Sequence, residues 1–511
     1  MNTRIFSYTQ LGLALFAGLA LRLYFIVHFP FYAGDTKFYE ELARNWMDHG
    51  MYGLFVIGQL VPVDMRTPGY PGFLAATYFL LGRGSRTAML VQAFLDLGTC
   101  VLTALMAARL APVSRRTVVA SAALWMAALC PFTANYTAVV LTETLAIFLT
   151  ALALLVFVYL LGEPEVDFSG ADFASRAEEA REGLRPAPAG RRSGKHSRAV
   201  LRSAASFLLA GFIVGLGALV RPEAPLVLAA AGLALCVRWR QRRNWPKLIL
   251  AGCWMCVGLL FALLPWAARN ARTLGRIEFL GPRYAQSYGD FIPRGFFAWT
   301  QTWMTRFGDA YLVNWKLGKE RLRADALPAT AFDSDAERGR VAGLLERYNG
   351  DLRMTPALDH QFAILARERT ERRPWGTYVS VPAERILAMW FTPRIELLPY
   401  SGDLWPPGEK WRENRADFGV TLGFGILGIV YAGLALCGLW RWRGGTAGGF
   451  LILFVAIRTV VMTQLQTVEP RYVIECFPAV LAFGALAWAI PWREAAVKHD
   501  ALRAVPDIVS E

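Results

Sequence analysis

Cysteine pairs, histidine clusters and glycine-rich phosphate loops are all missing from this sequence. Its seven cysteines lie inside apolar runs, where a thiol behaves as a small hydrophobe, so no disulfide framework or zinc site is expected. Cys253 and Cys256 have redox-pair spacing, but they sit within an apolar run with no thioredoxin-like pattern around them. The five histidines form no cluster with acids at ligand spacing, so neither a metal nor another cofactor is implied. Charge is also scarce. Asp, Glu, Lys and Arg make up 18% of the chain, against about 25% in soluble domains, which argues against an ordinary soluble enzyme.

Apolar residues fill the gap. They make up 55% of the 511 residues, and the mean hydropathy is +0.33. Apolar runs fall at 8–28, 69–83, 88–110, 117–131, 136–161, 200–220, 223–237, 248–268, 418–440, 447–466 and 472–490. Several reach the roughly 20 residues needed to cross a bilayer as helix. The fold class expected is an all-α polytopic membrane protein with about 10–11 apolar helical segments. The net charge of +14 does not point to nucleic acid, because its excess lies in short clusters between apolar runs, as in loops retained in the cytoplasm.

Those clusters orient the chain. Residues 1–161 form an N-terminal membrane part whose first span reads as an uncleaved anchor, and residues 162–199 read as a disordered, basic cytoplasmic loop. Residues 200–268 hold central spans around the most basic short loop, Arg238 to Lys247. From that marker the loop 29–68 and an insert at 269–417 are expected outside, with the spans 418–491 bringing the tail 492–511 back inside. The count closes only if one early segment does not cross. The run 69–83 is among the shortest and opens with Gly, Tyr and Pro, so it is expected to lie at the interface. The insert is expected to be mostly helical, with a helix-like stretch over 335–372.

Polar side chains at membrane level carry the functional signal, since their burial is costly without a partner or purpose. Asp35, Arg66, Glu143, Arg221, Glu223, Arg269, Glu469 and Arg471 all fall at or near expected outer ends of apolar segments. Arginine forks beside a carboxylate suit an anionic lipid head group. Arg22, in the last third of the first run, either snorkels outward or reaches a lipid phosphate. His28 and His49 flank the first loop as interfacial residues.

The motifs here are Gly34-Asp35-Thr36 with Tyr39, Arg66-Thr67-Pro68-Gly69-Tyr70-Pro71, Leu141 to Leu145 around Glu143, Val220-Arg221-Pro222, Pro265 to Asn270, and Glu469-Pro470-Arg471-Tyr472. Together, in this order, they resemble the class C glycosyltransferases, membrane enzymes that use polyprenyl-phosphate sugars. The protein mannosyltransferase and lipid A aminoarabinose transferase kind is the nearest in pattern. The resemblance implies that Asp35 is the catalytic acid/base and that Arg66, Arg221, Arg269 and Arg471 bind the lipid phosphate. Tyr39, Glu143, Tyr472 and Arg22 would support them. Glu143 is open to three readings: aiding Asp35, pairing with an arginine, or holding a metal as in oligosaccharyltransferases. Two positions depart from the family pattern. Asp35 is followed by Thr36 where the family often pairs acids, and Arg66 is followed by Thr67 where many members have proline.

The chemistry expected is inverting transfer of a sugar from polyprenyl phosphate to a glycan, lipid or protein acceptor. Arginines would stabilise the departing phosphate and Asp35 would deprotonate the attacking group. The expected location is the inner cell membrane, among membrane lipids, with the site on the extracytoplasmic face. Two alternatives stay open: a transporter or flippase of lipid-linked sugars, and a polymerase or ligase joining lipid-linked glycans.

Overall fold

A computed structural model describes residues 8–162, 190–240, 245–281, 291–442 and 444–489. Among these residues, six helices are long and apolar enough to cross a bilayer: Tyr8–His28, Ser85–Leu110, Glu143–Gly162, Trp245–Leu274, Arg415–Arg441 and Pro470–Trp488. Val113–Ala128 and Pro131–Ala138 add a seventh if this pair, bent by 46°, counts as one span. The bend falls at Cys130, held extended as the residue before a proline must be. Shorter apolar helices run over Ala204–Val220, Leu226–Trp239 and Thr446–Met462. Phe16, Phe79, Phe261 and Trp440 stand exposed on helix faces, as lipid-facing side chains do. The chain is a multi-pass helical membrane protein.

Small residues set a close helix contact. The helices Gly190–Val220 and Trp245–Leu274 pack along each other. A Cβ at Gly211 would sit 2.1 Å from the Met255 carbonyl oxygen, and one at Gly258 would sit 2.0 Å from that of Leu208. Backbones meet where side chains are absent, and in lipid this packing, not water exclusion, holds helices together.

Arg22 corrects an expectation. It is fully buried and neither snorkels nor reaches a head-group site. Its Nη2 lies 2.6 Å from Asp96 Oδ2, while Nη1 donates to the carbonyls of Gly18 and Ala128, each at 2.7 Å. The reason is an acid at matching depth on Ser85–Leu110, which neutralises the guanidinium where it stands.

The segment 69–83 forms the helix Gly69–Leu81. Its 13 residues span about 20 Å at about 1.5 Å per residue, short of the roughly 30 Å hydrocarbon layer. The first loop holds the helix Gly34–His49 and an antiparallel hairpin, Gly53–Val56 against Gln59–Pro62, a small strand element in an otherwise helical class. Ile57 and Gly58 turn the hairpin with φ of 49° and 79°. Positive φ at both central residues matches strand twist, but Ile-Gly is a weak signal for it. The stretch 335–372 is not one helix but two, Asp335–Asp351 and Pro356–Arg372. Leu352 breaks it in the left-handed region, and Thr355 caps the second helix by accepting from Leu358 N.

The insert has its own core around Phe296, Trp299, Trp303 and Phe362, and this core continues into Met462, Leu465 and Val473 of the C-terminal part. Buried Arg385 fastens the two, donating to the carbonyls of Met304, Thr463 and Leu465 at 2.7–2.9 Å. Of the stretch expected to be disordered, 163–189 lies outside the described residues, as does the tail 492–511. A helix opens at Gly190, inside that stretch. We expect Asp96→Ala to strand the Arg22 charge and to lower unfolding stability by about 3–5 kcal/mol. Thermal or SDS unfolding in detergent checks this, and an unchanged midpoint refutes the pairing.

Candidate active site

Backbone contacts bring the first loop to the later motifs. Phe31 N donates to Ala138 O at 3.0 Å and Thr36 Oγ1 to Val140 O at 3.2 Å, which seats Asp35 beside the segment leading to Glu143. Tyr39 meets Tyr70 edge-on, with ring centres 5.1 Å apart. Tyr70 donates to Gln92, which in turn donates to Val139 O at 2.7 Å. At the other end of the loop, Tyr52 Oη donates to Arg66 O at 2.8 Å. Gly69 lies against Leu219, where a Cβ would fall 2.5 Å from the carbonyl oxygen. Only glycine lets the Arg66 segment approach Val220 and Arg221 so closely.

These contacts frame a cleft of about 870 Å³ whose wall includes Asp35, Tyr39, Arg66, Glu143, Arg221, Glu223, Arg471 and Tyr472. On one side Arg66 Nη2 lies 3.0 Å from Asp35 Oδ1, with the two side chains 27% and 36% exposed. Burial works against the Arg66 charge, but Asp35, with Tyr39 and Tyr52 adding to it, leaves the guanidinium more basic than usual. Burial, reinforced by Asp35, pushes the Tyr39 phenol up to about 12, so it is neutral at physiological pH.

On the other side Glu143 is almost wholly buried. Its Oε1 lies 3.1 Å from Arg221 Nη1 and 3.4 Å from Arg471 Nη1, while Oε2 has no hydrogen-bond partner. Arg471 Nε lies 2.5 Å from Glu469 Oε2. Tyr472 Oη and Thr467 Oγ1 donate to Glu469 Oε1 at 2.8 and 3.1 Å. Glu143 thus makes the arginine pairing that is one of its three readings. Among the described residues no group of three or more His, Cys, Asp or Glu is arranged to hold a metal ion.

Two members of this network are absent from the sequence reading. Glu475 accepts from Arg458 at 2.6 Å and Thr150 at 3.0 Å, and stands 3.4 Å from Arg221 Nε. Both Glu475 and Arg458 are buried inside apolar runs. The available signal was a charge within an apolar segment, the same rule that marks the helix ends. Other first-loop acids are engaged elsewhere. Glu40 accepts from Arg44, Tyr78 and Ser85, and Asp64 pairs with Arg276.

Arg269 is the second correction. It does not line the cleft. Its Nη1 donates to Val63 O at 2.8 Å and Nη2 to Tyr52 O at 2.6 Å, while the guanidinium stacks over Trp266 and Tyr52. It closes the base of the hairpin and reaches Arg66 only through Tyr52. Its place at a span's outer end is common to a phosphate ligand and a loop clamp, so the sequence alone does not separate them.

The arrangement is a large cleft with a half-exposed carboxylate–guanidinium pair at one wall and two further guanidiniums at another. Such a cleft can hold an anion's oxygens beside a group able to accept a proton. No protein-family model and no curated protein sequence matches the chain. In structure it is similar to the Archaeoglobus fulgidus oligosaccharyltransferase in complex with zinc and sulfate. That match has 13% identity and a TM-score of 0.46, over 97% of this chain and 51% of that one. It is also similar to the archaeal oligosaccharyltransferase AglB from the same organism, in complex with an inhibitory peptide and a dolichol-phosphate (13% identity, TM-score 0.47, 98% and 52%). A further similar structure is ArnT from Cupriavidus metallidurans bound to undecaprenyl phosphate (13% identity, TM-score 0.36, 98% and 81%). The chain thus spans about half the length of the oligosaccharyltransferase structures. The reading of the cleft rests on its own geometry.

Arg269→Ala removes the hairpin clamp. We expect amide exchange over 53–62 to accelerate at least about tenfold, since hydrogen bonds from a charged donor contribute about 1.5–3 kcal/mol. Hydrogen-exchange mass spectrometry reads this, and unchanged protection there would return Arg269 to the anion site.

Proposed function

We propose that the protein is an inverting glycosyltransferase that takes a sugar from a polyprenyl-phosphate donor and passes it to a glycan, lipid or protein acceptor. The observation that carries this is the Asp35–Arg66 pair, 3.0 Å apart, opening onto the same cleft as Arg221 and Arg471. The acceptor's oxygen or nitrogen attacks C1 of the sugar as the bond from C1 to the phosphate oxygen breaks. Asp35 takes the acceptor's proton, and the lipid phosphate leaves with the electron pair. Attack opposite the phosphate inverts the anomeric centre. Arg66, Arg221 and Arg471 stabilise the charge that develops on the leaving group, an interaction stronger in the transition state than before it.

The Asp35–Arg66 pair also bears on order. A phosphate drawn to Arg66 competes with Asp35 for the guanidinium, so donor binding loosens the base for the acceptor. Tyr39 and Tyr472 both line the cleft, and Glu143 and Glu469 hold the arginines in place.

Asp35→Asn keeps size and hydrogen bonding and removes the base. We expect transfer from a radiolabelled polyprenyl-phosphate sugar to fall by about 10²–10⁴-fold, with donor binding retained. Near wild-type turnover in a folded variant would sink the assignment. We further propose that the cleft faces the extracytoplasmic side of the inner membrane. Ile57 is fully exposed at the hairpin tip, so Ile57→Cys should react with a membrane-impermeant maleimide in whole cells. Labelling only after permeabilisation would place the first loop in the cytoplasm.

A further inference from the structure

One helix of the insert turns an apolar stripe outward. It begins at Pro374 and runs through a π-helical turn, Gly376–Ser380, into the α-helix Val381–Phe391. Buried Arg385 and Met389 fasten its inner face. On the outer face Trp375, Tyr378, Val379, Leu387 and Phe391 are 73%, 71%, 40%, 57% and 54% exposed. Single exposed apolar side chains are ordinary, but a stripe of them along one helix marks a surface that another apolar phase covers. Charge does not interrupt it. Arg385 points inward, and Glu384, about 100° around the helix from Ala383, lines a cavity of about 920 Å³ within the insert.

Depth decides what covers the stripe. Phe391 borders a groove with Phe424, Gly425, Gly428 and Tyr431 of the span Arg415–Arg441. Just beyond it, a Cβ on Gly425 would stand 3.6 Å from Pro393 Cγ. Gly425 lies seven residues past Phe418, where that span's apolar run opens. At about 1.5 Å per residue, Phe391 therefore sits about 10 Å below the outer end of the run. Ile426 and Ile429, next in sequence to the groove glycines, are exposed and face lipid on a helix that crosses the bilayer. The stripe is continuous with that lipid-facing surface.

The order of residues along the helix fits the same depth. Glu371, Arg372 and Arg373 precede it, Trp375 and Tyr378 come next, and Val379 and Leu387 lead on to Phe391. Charge, then Trp and Tyr, then apolar side chains is the order in which a bilayer is met from water. Trp405 and Trp411, exposed just before the span Arg415–Arg441, mark the same belt. The chain returns to the outer end of that span through 392–414, so the helix enters the layer without crossing it.

We propose that the helix over 374–391 is an interfacial membrane anchor, with Trp375 and Tyr378 at head-group level and Leu387 and Phe391 among acyl chains. Its partner is the lipid of the leaflet on the insert's side. Leu387 and Ala388 also wall the cavity of about 920 Å³, which reaches Pro470, next to Arg471 of the Asp35 cleft. The anchor holds that cavity at the bilayer surface, where a lipid-borne molecule reaches it without leaving the membrane. None of this rests on the transferase reading.

The test is photo-crosslinking of the full chain in phospholipid nanodiscs. A benzophenone amino acid is placed singly at Tyr378, Leu387 or Phe391, and adducts are read by mass spectrometry. Phe261, exposed on the helix Trp245–Leu274, and Ile57, at the hairpin tip, serve as the lipid and water references. We expect acyl-chain adducts at Leu387 and Phe391 in yields like that at Phe261. Attachment at Tyr378 should fall near the glycerol backbone, and lipid adducts should be lost at Ile57. Adducts joining two copies of the chain at Leu387 would make the stripe a dimer interface and overturn the proposal. So would Leu387 and Phe391 as free of lipid as Ile57. Each position is exposed and read separately, so if one variant fails to fold the other two decide.

Discussion

One carboxylate oxygen, Oε1 of Glu143, faces the guanidiniums of both Arg221 and Arg471, and the site is assembled around that sharing. Glu143 opens one long apolar helix, Arg221 directly follows another, and Arg471 lies in the first turn of the last span. Burying any of these charges alone costs several kcal/mol, and only partners close by offset the loss. Glu475 and Arg458 extend the arrangement behind Arg221. Helix positions are thereby tied to charge pairing. Shifting any one of these elements by a turn would leave a charge in an apolar interior with nothing to meet it.

The first loop is held differently. Its placement rests on backbone carbonyls: Ala138 and Val140 accept from its start, and Tyr52 and Val63 are gripped by Arg269. Such contacts fix where the chain runs and leave the side chains free. Asp35 and Arg66 therefore keep about a third of their surface open while the loop carrying them is clamped from both ends. The role proposed for Asp35 needs that combination, a rigid support and an unburied tip.

Much of this was legible in the sequence. Apolar runs mark spans because a bilayer sets their length, and charges at run ends stand out because little else there is polar. Asp35, Arg66, Glu143, Arg221 and Arg471 were found that way, and all five border one cleft. Charges inside the runs were harder. Arg22 stands out in the sequence but its pairing with Asp96 does not, because pairing across helices depends on depth and facing, which a linear pattern does not carry. Glu475 and Arg458 were lost for the same reason. The hairpin was missed because Ile57-Gly58 lacks the Asn or Asp that usually marks such a turn. The break near Leu352 has its signals in the sequence, Asn349-Gly350 and Thr355-Pro356, but the apolar spacing of Leu344, Leu345, Leu352 and Phe362 runs across them and reads as one helix.

The distribution of exposure across the cleft carries the last step. Arg221 is 11% and Glu143 1% exposed, whereas Arg66 is 27% and Asp35 36% exposed. A deeply buried pair resists separation, because parting it leaves both members unpaired in a poor solvent. A half-exposed pair parts at far smaller cost, since water takes up what is lost. An anion entering this cleft therefore meets two kinds of arginine. Arg221 keeps its carboxylates and offers only its field and any open N–H edge. Arg66 can exchange its partner. In the transferase reading the exchange falls on the one pair that contains the base, so the carboxylate is freed where the donor phosphate has arrived.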